Sequence, residues 1–258
     1  RAISPEACIV TESADLRSFI NSLTTGKGLA GEIGNIREFE SFNKKLKYFA
    51  DQINKPGFNL IMNDPAKFLP LVYTPTVGEA CEKFGHITRR VKGLFISINQ
   101  KDHIKDILRN WPVKDVRFTV VTDGGRILGL GDLGICGLGI PIGKLALYTG
   151  CAGVPPEFTL PIVLDVGTNN ETFLNDPLYP GLKHKRVTGK EYDDFIEAFV
   201  IAINEVFPKL CIQWEDFKGV DAIRILNKYR NKVCTYNDDI QGTASIATAG
   251  FISISRLM

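Results

Sequence analysis

An excess of charge of one sign is missing from this sequence. Its 258 residues include 31 Lys and Arg against 29 Asp and Glu, which gives a formal net charge of +2. Proteins that bind nucleic acid or an anionic membrane surface through their overall charge carry a clear basic excess. We therefore expect neither nucleic acid nor a membrane as a partner.

Long hydrophobic runs are missing as well. No uninterrupted stretch of 18 or more apolar residues occurs, which predicts that no segment spans a membrane. The opening residues RAISPEACIV lack a basic segment followed by an apolar core, so we expect no signal peptide.

Histidine is scarce and no C-x-x-C pair occurs. The three His and six Cys do not fall at the spacings of zinc ligands. We interpret the cysteines as reduced, mostly buried thiols and expect a cytoplasmic location, or the mitochondrial matrix for a eukaryotic source. G-x-S-x-G, H-E-x-x-H and Walker motifs are also missing, which argues against a hydrolase or an NTPase.

Short apolar runs alternate with helical patterns along most of the chain. Continuously apolar runs are typical of strands buried on both faces of a parallel sheet. Five runs are candidates for strands: 93–98, 116–121, 159–164, 210–214 and 232–236. The clearest helix follows Thr188, whose spacing to Glu191 predicts a capping box, and ends at Pro208. The order predicts an α/β fold, an open and mostly parallel sheet with helices on both faces.

The first third of the sequence differs from the rest. Residues 1–92 show helical spacing and a Gly-rich connector but no strand candidate. We predict a small helical lobe over 1–92 that packs against an α/β domain over 93–258.

Acidic residues follow four of the five strand candidates. They are Asp123, Asp165, the pair Glu215 and Asp216, and the pair Asp238 and Asp239. The carboxyl ends of parallel strands meet at one edge of the sheet, where ligands bind. A carboxylate cluster is costly without a cation, and oxygen ligands suit Mg²⁺ or Mn²⁺. The alternative, strongest for Asp123 and Asp165, is that these side chains cap helices or turns.

Lys144 is the candidate general base. Pro141 fits the first turn of a helix, so Lys144 would lie near a helix N-terminus, where the dipole and burial both lower a lysine pKa. Nearby carboxylates would raise that pKa again. The alternative is a lysine that extends to solvent.

Tyr73 and Arg126 are further candidates. Tyr73 comes just before a helix start predicted by Pro75 and the Thr76–Glu79 pair, where the helix dipole would stabilise a phenolate and favour proton donation. Arg126 follows a predicted turn and could bind a substrate carboxylate in bidentate fashion. A packing tyrosine and an exposed turn arginine are the alternatives.

A glycine-rich stretch matches the spacing of a dinucleotide-binding turn. The G-x-G-x-x-G glycines are Gly129, Gly131 and Gly134. Asp132 places a negative charge inside the loop, and no strand-end acid follows about 20 residues later, as a ribose ligand would. We interpret the glycines as part of a substrate site, where they let the backbone bring Arg126 and Lys144 to its two sides.

Several long motifs resemble those of the malic enzymes, the decarboxylating malate dehydrogenases. They are YTPTVGEAC, VVTDGGRILGLGDLGICGLGIPIGKLALYTGCAG, LDVGTNNETFLNDPLYPGL, IQWEDF and YNDDIQGTASIA, and they fall in the family's order over roughly residues 50–258. The resemblance implies that Tyr73 is the general acid, Lys144 the general base, and Arg126 the ligand of the malate carboxylate. It implies that Asp238 is the acidic neighbour of the lysine. Three acids resemble the ligands of Mg²⁺ or Mn²⁺: Glu215, Asp216 and Asp239.

The implied reaction is oxidative decarboxylation of L-malate to pyruvate and CO₂, with reduction of NAD or NADP. The family's NAD(P)-binding Rossmann domain is expected beyond Met258, so we expect this chain alone to be inactive. The resemblance also implies a homo-oligomer, a dimer or tetramer, with the helical lobe as an interface. Gln52 stands where fumarate-activated members carry an arginine, which argues against that activation. The alternatives are a malolactic enzyme and a non-catalytic binding or assembly module.

Overall fold

The described residues form an α/β fold with a five-stranded parallel sheet. The computed structural model describes residue 61, residues 63–86 and residues 92–256. Its strands are β1 (Leu94–Ser97), β2 (Phe118–Thr122), β3 (Thr159–Asp165), β4 (Cys211–Trp214) and β5 (Thr235–Asn237). The spatial order is β1-β3-β2-β4-β5 and every pairing is parallel. The predicted sheet and all five predicted strands are confirmed.

Eight α-helices precede, connect or follow the strands within the same described ranges. They are α1 (Pro65–Val72), α2 (Thr76–Glu82), α3 (Ile104–Arg109), α4 (Gly139–Ala152), α5 (Glu171–Asn175), α6 (Gly189–Val206), α7 (Gly219–Tyr229) and α8 (Thr243–Ser255). A π-helical turn, Asp238–Gly242, leads from β5 into α8. Helices α1 and α2 lie within residues 1–92, for which a helical lobe is predicted, and residues 1–60, Gln52 among them, lie outside the described residues.

The sheet is covered on both faces, as predicted. Ile162 and Leu164 of β3 belong to a large apolar core with Phe195 and Phe199 of α6. Val163, which points to the opposite face, packs in a second core formed with α2 and the start of α4. All seven residues of β3 are therefore buried, as a central parallel strand requires.

The predicted capping box of α6 does not form. Thr188 is the N-cap residue, but its side chain accepts no capping hydrogen bond in the described structure. The helix ends at Val206, two residues before Pro208, which cannot continue it.

The segment Gly134–Ala152, which contains α4, is apolar and long enough to cross a membrane by length and composition alone. Of its most apolar window, 56% is buried inside the structure. The segment packs against β2 and β3 on one side and against α1 and α2 on the other. Its apolar surface therefore forms core between the sheet and the helices α1 and α2.

Candidate active site

One cavity of about 300 Å³ lies at the carboxyl edge of the sheet. It is lined by Tyr73, Arg126, Leu128, Lys144, Glu215, Asp216, Asp238, Asp239 and Thr243. The fold thus brings together all seven residues that the sequence proposed for catalysis, substrate binding and metal binding. They come from segments up to 166 residues apart (73 to 239), so only the fold makes them neighbours.

Two other strand-end acids lie elsewhere and have structural contacts. The buried Asp123 forms an ion pair with Arg186 and accepts a hydrogen bond from Tyr192 Oη at 2.8 Å. Asp165 accepts hydrogen bonds from the backbone N–H groups of Gly167, at 3.0 Å, and Leu182, at 2.8 Å. The turn interpretation is therefore confirmed for Asp165, and Asp123 also receives the N–H of a turn residue, Gly125.

Lys144 lies in the second turn of α4 and faces two carboxylates. Its Nζ is 2.5 Å from Asp238 Oδ2 and 3.1 Å from Glu215 Oε1. Burial lowers the pKa of Lys144, but the charges of Glu215 and Asp238 outweigh burial and raise the pKa above its usual value. Burial was expected to lower this pKa and nearby carboxylates to raise it again, and in this structure the effect of the carboxylates dominates.

Tyr73 lies at the junction of α1 and α2, directly beside Lys144. The ammonium nitrogen of Lys144 is 5.4 Å from the centre of the Tyr73 ring. Burial is the largest effect on Tyr73 and raises its pKa, so the phenol keeps its proton. The expected stabilisation of a phenolate by the dipole of α2 is therefore wrong, although a protonated phenol is what a proton donor requires.

The capping box predicted for Thr76 and Glu79 does not form either. Pro75 is the N-cap residue of α2, and the Thr76 hydroxyl donates a hydrogen bond to the carbonyl oxygen of Pro70 at 2.7 Å. This bond ties α2 to α1 and so fixes the corner at which Tyr73 lies.

Glu215 and Asp216 are buried although they are acidic. Asp216 has a positive φ of 57°, an uncommon conformation for a residue with a side chain. Burial and the neighbouring acid Asp239 raise the pKa of Asp216 to about 7. Burial raises the pKa of Glu215 to about 8, against the opposing charge of Lys144. Both acids therefore hold protons more tightly than they would in water.

A hydrogen-bonded network behind Glu215 was not predicted from the sequence. Gln213 Nε2 donates to Glu215 Oε2 at 2.6 Å, and Gln213 Oε1 accepts from Tyr236 Oη at 2.8 Å and from Tyr148 Oη. Gln213 lies one strand repeat before Glu215, and Tyr148 lies one helical turn after Lys144. Those spacings are the signal that sequence reasoning could have used.

The carboxylates fit a hard divalent cation by their chemistry. Oxygen-only donors suit Mg²⁺ or Mn²⁺, and Asp216 Oδ2 is buried without a hydrogen-bond partner among the described residues. No three His, Cys, Asp or Glu side chains in the described part of the chain converge in a metal-binding geometry. In this arrangement the ammonium group of Lys144 is the positive charge next to Glu215.

The glycine-rich stretch belongs to the loop between β2 and α4, and Gly129, Gly131 and Gly134 are not among the residues that line the cavity. Ile127 and Gly131 form an isolated antiparallel bridge. Asp132 accepts hydrogen bonds from the Gly134 N–H at 3.0 Å and the Thr168 hydroxyl at 2.8 Å. The charge that argued against a dinucleotide turn thus organises the loop. Arg126, at the start of the stretch, is exposed and lines the cavity.

The fold and the cavity define an α/β protein with a lysine–tyrosine pair beside a carboxylate cluster. A family model described as "Malic enzyme, N-terminal domain" matches residues 50–230. The chain therefore belongs to the malic enzyme family and carries its N-terminal domain.

Curated relatives agree with this assignment. A "NADP-dependent malic enzyme, mitochondrial" of Mus musculus is 56% identical over 213 residues, which cover 82% of this chain and 35% of the relative. A "NADP-dependent malic enzyme" of the same species is 52% identical over 229 residues, covering 86% of this chain and 40% of the relative. The chain thus spans between a third and two fifths of these relatives. A solved malic enzyme structure from Entamoeba histolytica aligns with 96% of this chain and 40% of its own, at 23% identity and a TM-score of 0.42.

Proposed function

We propose that this chain supplies the acid–base and metal-binding groups for oxidative decarboxylation of L-malate to pyruvate and CO₂. The observation that carries the proposal is the shared cavity, in which Lys144 and Tyr73 lie beside four carboxylates. The hydride from C2 of malate passes to a nicotinamide cofactor. NADP is favoured over NAD because the names of the relatives specify NADP.

Lys144 is proposed to take the proton from the C2 hydroxyl of malate. A neutral amine is required for this step, and Asp238, whose Oδ2 lies 2.5 Å from the Lys144 Nζ, is placed to share the ammonium proton. In the resting state, the ion pair between Lys144 and Asp238 therefore holds the ammonium proton.

Tyr73 is proposed to donate its phenolic proton to C3 after CO₂ departs. The closeness of Lys144 to the Tyr73 ring lets the lysine return a proton to the phenol. The hydroxyl proton of malate then ends at C3 of pyruvate, which balances the reaction without release of a proton. The raised pKa of Tyr73 keeps the phenol protonated until CO₂ has departed and C3 accepts the proton.

Glu215, Asp216 and Asp239 are proposed to hold Mg²⁺ or Mn²⁺, which would supply Lewis-acid polarisation of the substrate. Arg126 is proposed to bind a substrate carboxylate at the exposed mouth of the cavity. The network through Gln213 would hold Glu215 in place, since Gln213 donates to one of its carboxylate oxygens.

The oligomeric state and the compartment are two further features of the whole protein. A homo-oligomer is proposed, with the lobe helices at the interface. One relative is named as mitochondrial and another carries no compartment in its name, so the names favour neither compartment.

Proton donation to C3 can be tested without the hydride step. We expect the chain with Mn²⁺ to exchange the methyl protons of pyruvate with D₂O, measured by NMR, and Tyr73→Phe to slow the exchange at least about 100-fold. Tyr229→Phe is the matched control, because Tyr229 is a buried tyrosine of α7 that does not line the cavity. Equal exchange by the parent and Tyr73→Phe would contradict the role of Tyr73.

A further inference from the structure

Two cysteines lie opposite each other on the neighbouring strands β4 and β5. Ile212 pairs with Thr235 in the parallel register, so Cys211 and Cys234 occupy the preceding pair of positions. The Ile212 N–H donates to the carbonyl oxygen of Cys234 at 3.0 Å, which fixes that alignment. Neighbouring strands are about 4.8 Å apart, within the range of Cα separations, roughly 4.4–6.8 Å, that a disulfide bridges.

The two thiols also lie on the same face of the sheet. Side chains alternate along a strand, so Cys211 shares its face with Gln213, and Cys234 shares its face with Tyr236. Gln213 and Tyr236 meet on that face through a hydrogen bond of 2.8 Å. Burial, followed by the adjacent thiol of Cys234, raises the pKa of Cys211 to about 12, which agrees with close contact between the two sulfurs.

Access to the pair is one-sided. Cys234 is exposed, whereas Cys211 is half-buried. An external oxidant therefore reaches Cys234 first. Cys211 is then placed to react with the oxidised form of Cys234. This arrangement of an attacking and a resolving thiol is typical of redox-active cysteine pairs.

We propose that Cys211 and Cys234 are a redox-active dithiol, a modification site that low-molecular-weight disulfides such as oxidised glutathione convert into an intramolecular disulfide. The Cys234 thiolate attacks one sulfur of the glutathione disulfide, forms a mixed disulfide and releases one glutathione. The Cys211 sulfur then attacks Cys234, forms the protein disulfide and releases the second glutathione. The two thiol protons end on the two released glutathione molecules, so both oxidation and protons balance.

The position of the pair links it to the cavity. Gln213 and Tyr236 are each two residues beyond a cysteine of the pair, and Gln213 donates to Glu215. A covalent bond between β4 and β5 would join the two strands that lead into Glu215–Asp216 and Asp238–Asp239. The dithiol itself stands independently of the proposed catalytic roles, because it rests on strand register and exposure alone.

Peptide mapping tests the pair directly. The chain is incubated with oxidised glutathione, its remaining thiols are alkylated, and it is digested with trypsin, which separates the peptides 210–218 and 233–256. We expect these two peptides to be joined, two hydrogens lighter than their sum, and to separate on treatment with dithiothreitol. A glutathione adduct on Cys234 without the internal disulfide would overturn the proposal. The absence of any modification on either cysteine would also overturn it.

Two controls separate an internal disulfide from general oxidation of exposed thiols. In Cys211→Ser, the mixed disulfide on Cys234 should accumulate to about one per chain, because the resolving thiol is gone. Cys151, which is exposed on α4, is the internal control and should keep its glutathione adduct in every variant. A disulfide-linked dimer on a non-reducing gel, in place of the internal link, would also overturn the proposal.

Discussion

Glu215 and Asp216 hold protons that a divalent cation must displace. Their pKa values are raised to about 8 and about 7. Below those values the carboxyl groups are increasingly protonated, and protonated groups are poor ligands. We therefore expect the affinity for Mn²⁺ to rise by more than about tenfold between pH 6 and pH 8, as measured by isothermal titration calorimetry.

The number of protons released on Mn²⁺ binding distinguishes displacement of protons from Glu215 and Asp216 from a general effect of pH on the protein. Titrations at pH 7 in buffers of different ionisation enthalpy should show proton release, and Glu215→Gln should release fewer protons. An affinity for Mn²⁺ that stays constant from pH 6 to pH 8 would contradict the assignment of these acids as metal ligands.

The sequence could predict which residues share the cavity, but it could not predict which side chains surround each of them. The strand-end position of Glu215 and Asp238 predicted a shared edge, which the parallel register confirms. The net direction of the Lys144 pKa shift could not be predicted, because it depends on distances to side chains 71 and 94 positions away (144 to 215 and 238). The Tyr148–Gln213 hydrogen bond was missed for the same reason, since its partners are 65 positions apart.

At the level of elements, the contact between α1 and α4 sets the separation of Tyr73 and Lys144. At Gly143 a methyl group would lie 2.9 Å from Tyr73 Cδ2 and 3.0 Å from the carbonyl oxygen of Val72. Gly143→Ala should therefore push the end of α1, and Tyr73 with it, away from α4. We expect the pyruvate exchange rate to fall at least about tenfold, while Mn²⁺ affinity stays the same.

Gly250→Ala in α8 is the matched control for a Gly→Ala change within a helix. Apart from Gly250, its chain neighbours and the nearby backbone of α8, no atom of the described residues lies within 4 Å of a methyl group added at Gly250. Ala is the better helix former, so this change should stabilise the fold by up to about 1 kcal/mol and leave exchange unchanged. Loss of Mn²⁺ binding in Gly143→Ala would show that the change disrupts the whole cavity rather than the placement of Tyr73.

The elements themselves were largely predictable, whereas their caps were not. The run TLPIVL predicted β3 because a strand buried on both faces needs unbroken apolar side chains. The Thr76 capping box failed because the Thr76 hydroxyl finds the carbonyl oxygen of Pro70 instead. A local motif indicates only which hydrogen bonds are available to a side chain. The packing of α1 against α2 determines that the hydroxyl group of Thr76 bonds to Pro70 rather than forming the local cap.

Across the whole molecule, α8 differs from the other long helices because its apolar side chains are exposed. Ile246, Phe251 and Ile254 are 77%, 74% and 56% exposed, whereas Phe195 and Phe199 of α6 are fully buried. Side chains that bury little surface contribute little to the free energy of unfolding. We therefore expect Phe251→Ser with Ile254→Ser to change that free energy by less than about 0.5 kcal/mol in urea denaturation.

The same double substitution should lower the binding of the dye ANS, because exposed apolar surface is what the dye detects. Phe199→Ser is the matched control and should cost at least about 3 kcal/mol, since Phe199 packs in the core against Trp214. A loss of more than about 1 kcal/mol on changing Phe251 and Ile254 would mean that α8 is covered in the isolated chain in solution. The apolar face of α8 would then be part of the core rather than surface.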